Sequence, residues 1–256
     1  MTEALLREGH CVMAIDANAD ALARLSTLHR GSADRLHTIV ADVADESACR
    51  QAVAAAHARF GRVEALINNA GIGVSSLRAD AETRLPGIEE LSAEIWDRFY
   101  AVNMRGPMLM TRAALPFMRA GGFGRIINNT TSFRTMLRVL PYGATKAALE
   151  SMSAVWAQEL EGTGITVNVL IPGGPTDTPF ISDESGWPRE KMLRPQVMGP
   201  PACWLVSDAS AGWTGQRITA GRWDPALPGE EAARRASRAI GWPELGADAE
   251  WLKESP

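Results

Sequence analysis

Cysteine is scarce in this 256-residue chain, with Cys11, Cys49 and Cys203 odd in number and far apart. That spacing excludes a disulfide framework or a cysteine metal knuckle and suits a reducing compartment. Histidine is nearly as sparse. His10, His29, His37 and His57 all lie in the first quarter with no i, i+4 pair, so no metal site is expected. An excess of basic charge is also missing: 26 Lys and Arg against 30 Asp and Glu give a net charge of −4, and the cations are scattered. Nucleic acid and an anionic membrane surface are therefore not the expected partners, and a small molecule is. No apolar run approaches the roughly 18 residues of a membrane span, and the start lacks a basic-then-apolar leader. The expected location is the cytoplasm.

A fourth absence concerns glycine. The opening "MTEALLREGHCVMAIDANADAL" reads as the back half of a helix, a tight turn at Gly9, a short apolar strand from Cys11 to Ile15, and Asp16. In dinucleotide-binding folds an acid ending the second strand holds the adenosine ribose, and a glycine-rich turn roughly 20 residues earlier holds the pyrophosphate. There is no room for that turn ahead of Asp16. A carboxylate at this place accepts hydrogen bonds from a free ribose 2'-hydroxyl and repels a 2'-phosphate. It is followed by Ala17 rather than an arginine, which favours NAD over NADP. The other reading of Asp16 is a helix-capping acid.

What is present alternates regularly. "NADALARLSTLHRG" is a helical pattern, "LHTIVADV" a strand, "ESACRQAVAAAHARFG" a helix closed by Gly61, and "VEALINNAG" a buried-type strand. This β-α-β-α-β run predicts an α/β fold: a doubly wound, Rossmann-like parallel sheet between helical layers. Ile72 to about Pro86 reads as a functional loop. From Ser92 a long helical pattern carries a kink signal at Gly106 and Pro107. "GRIINNTTS", "YGATKAALESMSAVWAQELEGTG" and "ITVNVLIPGG" then repeat strand, helix, strand, and a Pro- and Gly-rich stretch from Pro172 to Pro201 reads as a lid. A single domain over residues 1–221 is expected, with 222–256 as an extension packed on it: a short charged helix and a Trp-containing polar tail.

The chemistry centres on "YGATK". Tyr142 and Lys146 are four apart, so a helix projects both from one face. A nearby ammonium lowers a phenol's pKa, making a workable acid or base. Around this pair stand "NNAG" after one strand, Asn103 in "AVNMRG", "TTS" after the next strand and "PGG" after a third. With these stretches in this order, the chain from about Met1 to Gly221 resembles the short-chain dehydrogenase/reductase family.

The resemblance implies hydride exchange between a nicotinamide cofactor and a small alcohol or ketone. Tyr142 would give or take the hydroxyl proton, Lys146 would bind the nicotinamide ribose and depress the Tyr142 pKa, and Asn103 would support a water in a proton relay. Asn69, Ala70 and Gly71 would line the cofactor, Asp42 and Val43 would flank the adenine, and Pro172 and Gly173 would lie beside the nicotinamide. Thr176 or Thr178 would reach its carboxamide. The hydroxyl that bonds the substrate oxygen is either Thr131 or Ser132, since the loop before Tyr142 is about two residues shorter than the family's usual spacing. The family pattern also begins with a strand and a glycine-rich turn, whereas this chain starts inside the helix that follows. Deleting the central strand predicts one of three outcomes: direct pairing of its neighbours, another segment in the gap, or a marginal fold. A non-catalytic binding protein on the same scaffold is the alternative function. The two long helices, "WDRFYAVNMRGPMLMTRAALPFM" and "KAALESMSAVWAQEL", carry more apolar residues than one stripe requires, which predicts a homodimer or homotetramer.

Overall fold

A computed structural model describes residues 1–244; the polar tail from residue 245 onward, expected to pack on the body or on a second subunit, lies outside the described residues. The chain runs α1 (Thr2–Arg7), β1 (Val12–Asp16), α2 (Ala19–Leu28), β2 (Leu36–Val40), α3 (Glu46–Phe60), β3 (Ala65–Asn68) and α4 (Ala93–Tyr100). It continues with α5 (Gly106–Gly121), β4 (Gly124–Asn129), α6 (Phe133–Met136), α7 (Tyr142–Glu159) and β5 (Ile165–Ile171). Last come α8 (Gly199–Val206), β6 (Gln216–Thr219), α9 (Gly229–Ala236) and β7 (Ser237–Ala239). Among the described residues no helix is long and apolar enough to cross a membrane.

Local chemistry sets the boundaries. Asn18 caps α2 by accepting from the Ala21 N–H at 2.9 Å, and Asp45 caps α3 through the Ser47 and Ala48 N–H groups. Gly61 ends α3 in the left-handed region at φ 80°, where a side chain would be strained. Between α4 and α5 the expected kink is a π-helical turn, Ala101–Arg105. Pro107 has no N–H to return to the carbonyl of Asn103, so the regular bond is lost and the turn widens.

Strands β3, β4, β5 and β6 pair in parallel in that order, and β7 adds an antiparallel edge on β6. All seven residues of β5 are buried, as a central strand covered on both faces requires. Alternate side chains feed two cores. Ile126 and Val167 face Val53, Leu109, Ala114 and Met118 on one side, while Ile127 and Leu170 face Leu5, Met198, Leu205 and Ala236 on the other. This is the α/β, three-layer architecture expected.

One feature departs from a continuous sheet. β1 and β2 pair with each other in parallel, Val12 opposite Leu36, but share no ladder with the five-stranded sheet. Direct pairing of β1 with β3 does not occur, and no other described segment forms a strand between them. Side chains bridge instead: Ile15 packs on the cluster containing Leu66, and Val12 and Ile67 both pack on the other. Arg35 also donates to the Leu6 carbonyl at 2.6 Å, tying β2's approach to α1.

Candidate active site

Strands β3 and β4 end in asparagines, Asn68 and Asn129, and their carboxyl ends open onto the crevice where α/β sheets bind ligands. Helix α7 lies along that edge. Gly143 lets it approach α6 closely: a Cβ there would sit 2.6 Å from the carbonyl oxygens of Thr135 and Met136. The approach fixes Tyr142 at the first position of α7. Lys146, one turn on, is buried at 3 % exposure, with its Nζ 5.9 Å from the Tyr142 ring centroid and donating to the Asn129 carbonyl at 2.8 Å.

The two titrating groups are displaced in opposite directions. Burial pushes the Tyr142 phenol up to about 12, partly countered by the Thr131 hydroxyl bonding to it. Burial alone brings the Lys146 ammonium down to about 8. Burial and the Thr131 hydroxyl are thus the two influences on the phenol here, and the Lys146 ammonium is engaged by the β4 backbone.

The alternatives at the strand end separate. Thr131 faces the phenol. Ser132 is instead the N-cap of α6, its Oγ accepting from the Thr135 N–H at 3.1 Å and paired with the Thr135 hydroxyl at 2.8 Å. Thr131→Ala is accordingly expected to lower kcat roughly tenfold, the loss of one charge-assisted hydrogen bond. Ser132→Ala should leave kcat near wild type and cost about 1 kcal/mol of stability as a lost cap. Steady-state rates and denaturant melts of the two variants check this.

Asn103 is fully buried, and its side chain joins two elements. Its Oδ1 accepts from the Ile72 N–H at 2.8 Å, and its Nδ2 donates to the Ile72 carbonyl and the Thr145 hydroxyl. Both amide hydrogens are committed, so the side chain clamps the loop after β3 to α7. A Cβ on Gly71 would stand 3.1 Å from that Asn103 Oδ1 and 3.5 Å from Lys146 Nζ, so the loop backbone is pressed against the Asn103–Lys146 pair. Asn69, beside Ala70, pairs its side chain with Asn129 at 2.9 Å.

A cleft of about 820 Å³ adjoins this group, lined on one side by Gly71, Ile72 and Ser75 and on the other by Thr178, Phe180 and Arg189. Phe180 lies tilted over Tyr142, centroids 5.5 Å apart, and its carbonyl accepts from the Ser75 hydroxyl at 2.8 Å. Pro172 accepts from the Gly221 N–H, Gly173 adopts φ 98°, and the Thr176 hydroxyl bonds the Gly174 carbonyl, all on the segment that leads away from β5 into this lid. Thr178 reaches the cleft; Pro172, Gly173 and Thr176 are not among its lining residues.

Asp16, Asp42 and Val43 belong to the β1–β2 unit and are not joined to these groups by hydrogen bonds. Asp16 Oδ1 accepts from the Asn18 N–H at 2.8 Å and Asp42 Oδ1 from the Ala44 N–H at 2.9 Å, so each carboxylate also shapes its own turn. Val43 packs where a Cβ on Gly106 would sit, 2.8 Å from its Cγ2. Among the described residues no cluster of His, Cys, Asp and Glu is placed to hold a metal.

Sequence reasoning missed Phe180, Glu150 and Arg217. Glu150 was within reach of it: Tyr142, Lys146 and Glu150 recur every fourth residue on one helix face. Phe180 and Arg217 carry no comparable local signal.

A family model described as short chain dehydrogenase matches residues 1–188. The chain belongs to the short-chain dehydrogenase/reductase family. It is 34% identical over 190 residues to a short-chain type dehydrogenase/reductase of Picea abies, covering 69% of this chain and 67% of the relative. It is 32% identical over 202 residues to a chloroplastic NADPH-dependent aldehyde reductase 2 of Arabidopsis thaliana, covering 74% and 71%. A solved short-chain dehydrogenase/reductase structure from Burkholderia xenovorans superposes with a TM-score of 0.70 at 26% identity, covering 82% of each chain. Membership makes the protein an enzyme that uses a nicotinamide cofactor in oxidation or reduction of small molecules.

Proposed function

We propose that the chain interconverts a small alcohol and its carbonyl with NAD, Tyr142 exchanging a proton with the substrate oxygen and Thr131 holding that oxygen in place. The observation that carries this reading is the enclosed Tyr142, packed under Phe180 of the cleft wall, with Lys146 one turn along the same helix. When bound, the nicotinamide accepts or supplies the hydride. Lys146 would bind its ribose, and the backbone at Asn69, Ala70 and Gly71 would lie along it. Pro172, Gly173 and Thr176 or Thr178 would meet the nicotinamide end, with Thr178 already at the cleft.

The residues present fit two parts of this cofactor. The tight approach of Gly71 to Lys146 leaves backbone rather than a side chain facing the nicotinamide ribose. The exposed Asp16 keeps one carboxylate oxygen free of the Asn18 bond, which suits a ribose 2'-hydroxyl and repels a 2'-phosphate, with Asp42 and Val43 near the adenine. The division of the sheet between β1–β2 and β3–β7 is what favours a second reading, a binding protein with weak cofactor grip.

Calorimetric titration of NAD, followed by a panel of alcohols and ketones monitored through the absorbance of reduced nicotinamide, separates the two. Binding in the micromolar range with turnover is expected. Turnover with NADP alone would overturn the Asp16 assignment, and binding without turnover across the panel would favour the second reading. Tyr100 and Val155, both exposed on the long-helix layer, support self-association through these helices.

A further inference from the structure

The inner face of α7 is fastened to the end of β4 residue by residue. Asn128 Nδ2 donates to Ser153 Oγ at 2.8 Å, Lys146 Nζ donates to the Asn129 carbonyl at 2.8 Å, and Thr130 Oγ1 donates to Glu150 Oε2 at 2.8 Å. Thr131 meets Tyr142. Three consecutive residues at the end of the strand are thus each held by one side chain of the same helix, and Thr131 follows them. Glu150 is an odd member of such a row, since it is wholly buried and a carboxylate there needs a partner. Arg217 of β6 is that partner: Nη1 donates to Glu150 Oε1 at 3.1 Å, and Nη2 donates to the backbone carbonyl of Thr131.

We infer that Glu150 and Arg217 form a positioning pair for the reaction, in which the guanidinium, aimed by the buried carboxylate, grips the Thr131 carbonyl and so holds the Thr131 hydroxyl on Tyr142. Neither residue touches the cleft. The fork of a guanidinium suits this task because its two nitrogens serve two acceptors at fixed spacing, which an ammonium cannot reproduce. Burial disfavours the charge on both groups, raising the Glu150 carboxyl against the counter-effect of Arg217 and lowering Arg217 against that of Glu150. An apolar pair would avoid that cost. The functional half of this inference rests on the reading of Tyr142 and Thr131 given above.

The test is Arg217→Lys, which keeps the charge but replaces the two-nitrogen fork, one nitrogen on Glu150 and one on the Thr131 carbonyl, with a single nitrogen on a shorter stem. The chain has two tyrosines, Tyr100 and Tyr142, so NMR of isotope-labelled tyrosine gives two resonances that Tyr100→Phe assigns. We expect the Tyr142 hydroxyl-bearing carbon to shift or broaden in Arg217→Lys at neutral pH, whatever the activity. We expect kcat to fall roughly tenfold, with the nicotinamide-cofactor KM unchanged. Combined with Thr131→Ala, Arg217→Lys should add nothing further, because both remove the same contact. Losses that add independently, with an unmoved Tyr142 resonance, would overturn the inference. A moved resonance in a protein that turns over no substrate would uphold the geometry and overturn only the oxidoreductase reading. If Arg217→Lys does not fold, Glu150→Gln combined with Arg217→Gln leaves no buried charge unpaired and is read in the same way.

Discussion

Tyr142→Phe is expected to reduce kcat by on the order of 10²–10⁴, the usual contribution of a positioned general acid or base. Affinity for the nicotinamide cofactor should change little. The substitution removes one oxygen and keeps the ring, so the contact with Phe180 at 5.5 Å and the start of α7 stay in place. What is lost, under the role proposed for Tyr142, is the proton that the substrate oxygen receives on reduction or surrenders on oxidation. With the phenol pushed up to about 12 by burial, the site holds its proton at neutral pH. Reduction should therefore vary little with pH below that value through this group. Oxidation, which needs the phenolate, should accelerate with rising pH by up to about tenfold per pH unit. Initial rates in both directions for wild type and Tyr142→Phe check this. Equal rates in the two proteins would remove Tyr142 from the chemistry.

The alternation of strands and helices was legible because apolar runs of strand length and alanine-rich helices separated by glycine leave little ambiguity, as at Gly61 and at "ITVNVLI". Spacing brought Tyr142 and Lys146 to one face for the same reason. Three things were not legible. Ser132 and Thr131 are adjacent hydroxyls, and only the short helix α6 assigns one of them to capping. Arg217 lies 86 residues from Thr131, so no local pattern pairs them. The sign of the Tyr142 displacement depends on how much water the fold excludes, and spacing does not encode that. The division between β1 and β3 likewise depends on which segments supply strand edges, whereas the apolar content of each strand is compatible with either arrangement.

Lys146→Met is expected to change the pH dependence of stability more than any other single substitution at the site. Unfolded, the ammonium titrates near 10.5; folded, burial brings it down to about 8, a difference of ~3 kcal/mol at roughly 1.4 kcal/mol per pH unit. Between these values the unfolded chain binds a proton that the folded chain has released, so stability rises with pH. The contribution is fully present above 10.5 and is lost as pH falls through 8. Tyr142 works in the opposite sense in a higher window. Its raised pKa gives stability that is intact below 10 and is lost as pH climbs toward 12. Both proteins carry that second effect, so subtracting their denaturant-melt curves isolates the lysine. Methionine also forfeits the 2.8 Å bond to the Asn129 carbonyl, but that loss is nearly constant with pH and moves the difference curve without bending it. The variant should therefore gain on wild type as pH is lowered from 10.5 to 8 and hold its gain below. Parallel curves across that window would show that Lys146 is solvated in solution. A dry ammonium at this position weakens the fold at neutral pH, so stability does not account for it, whereas the ribose and proton chemistry proposed for it does.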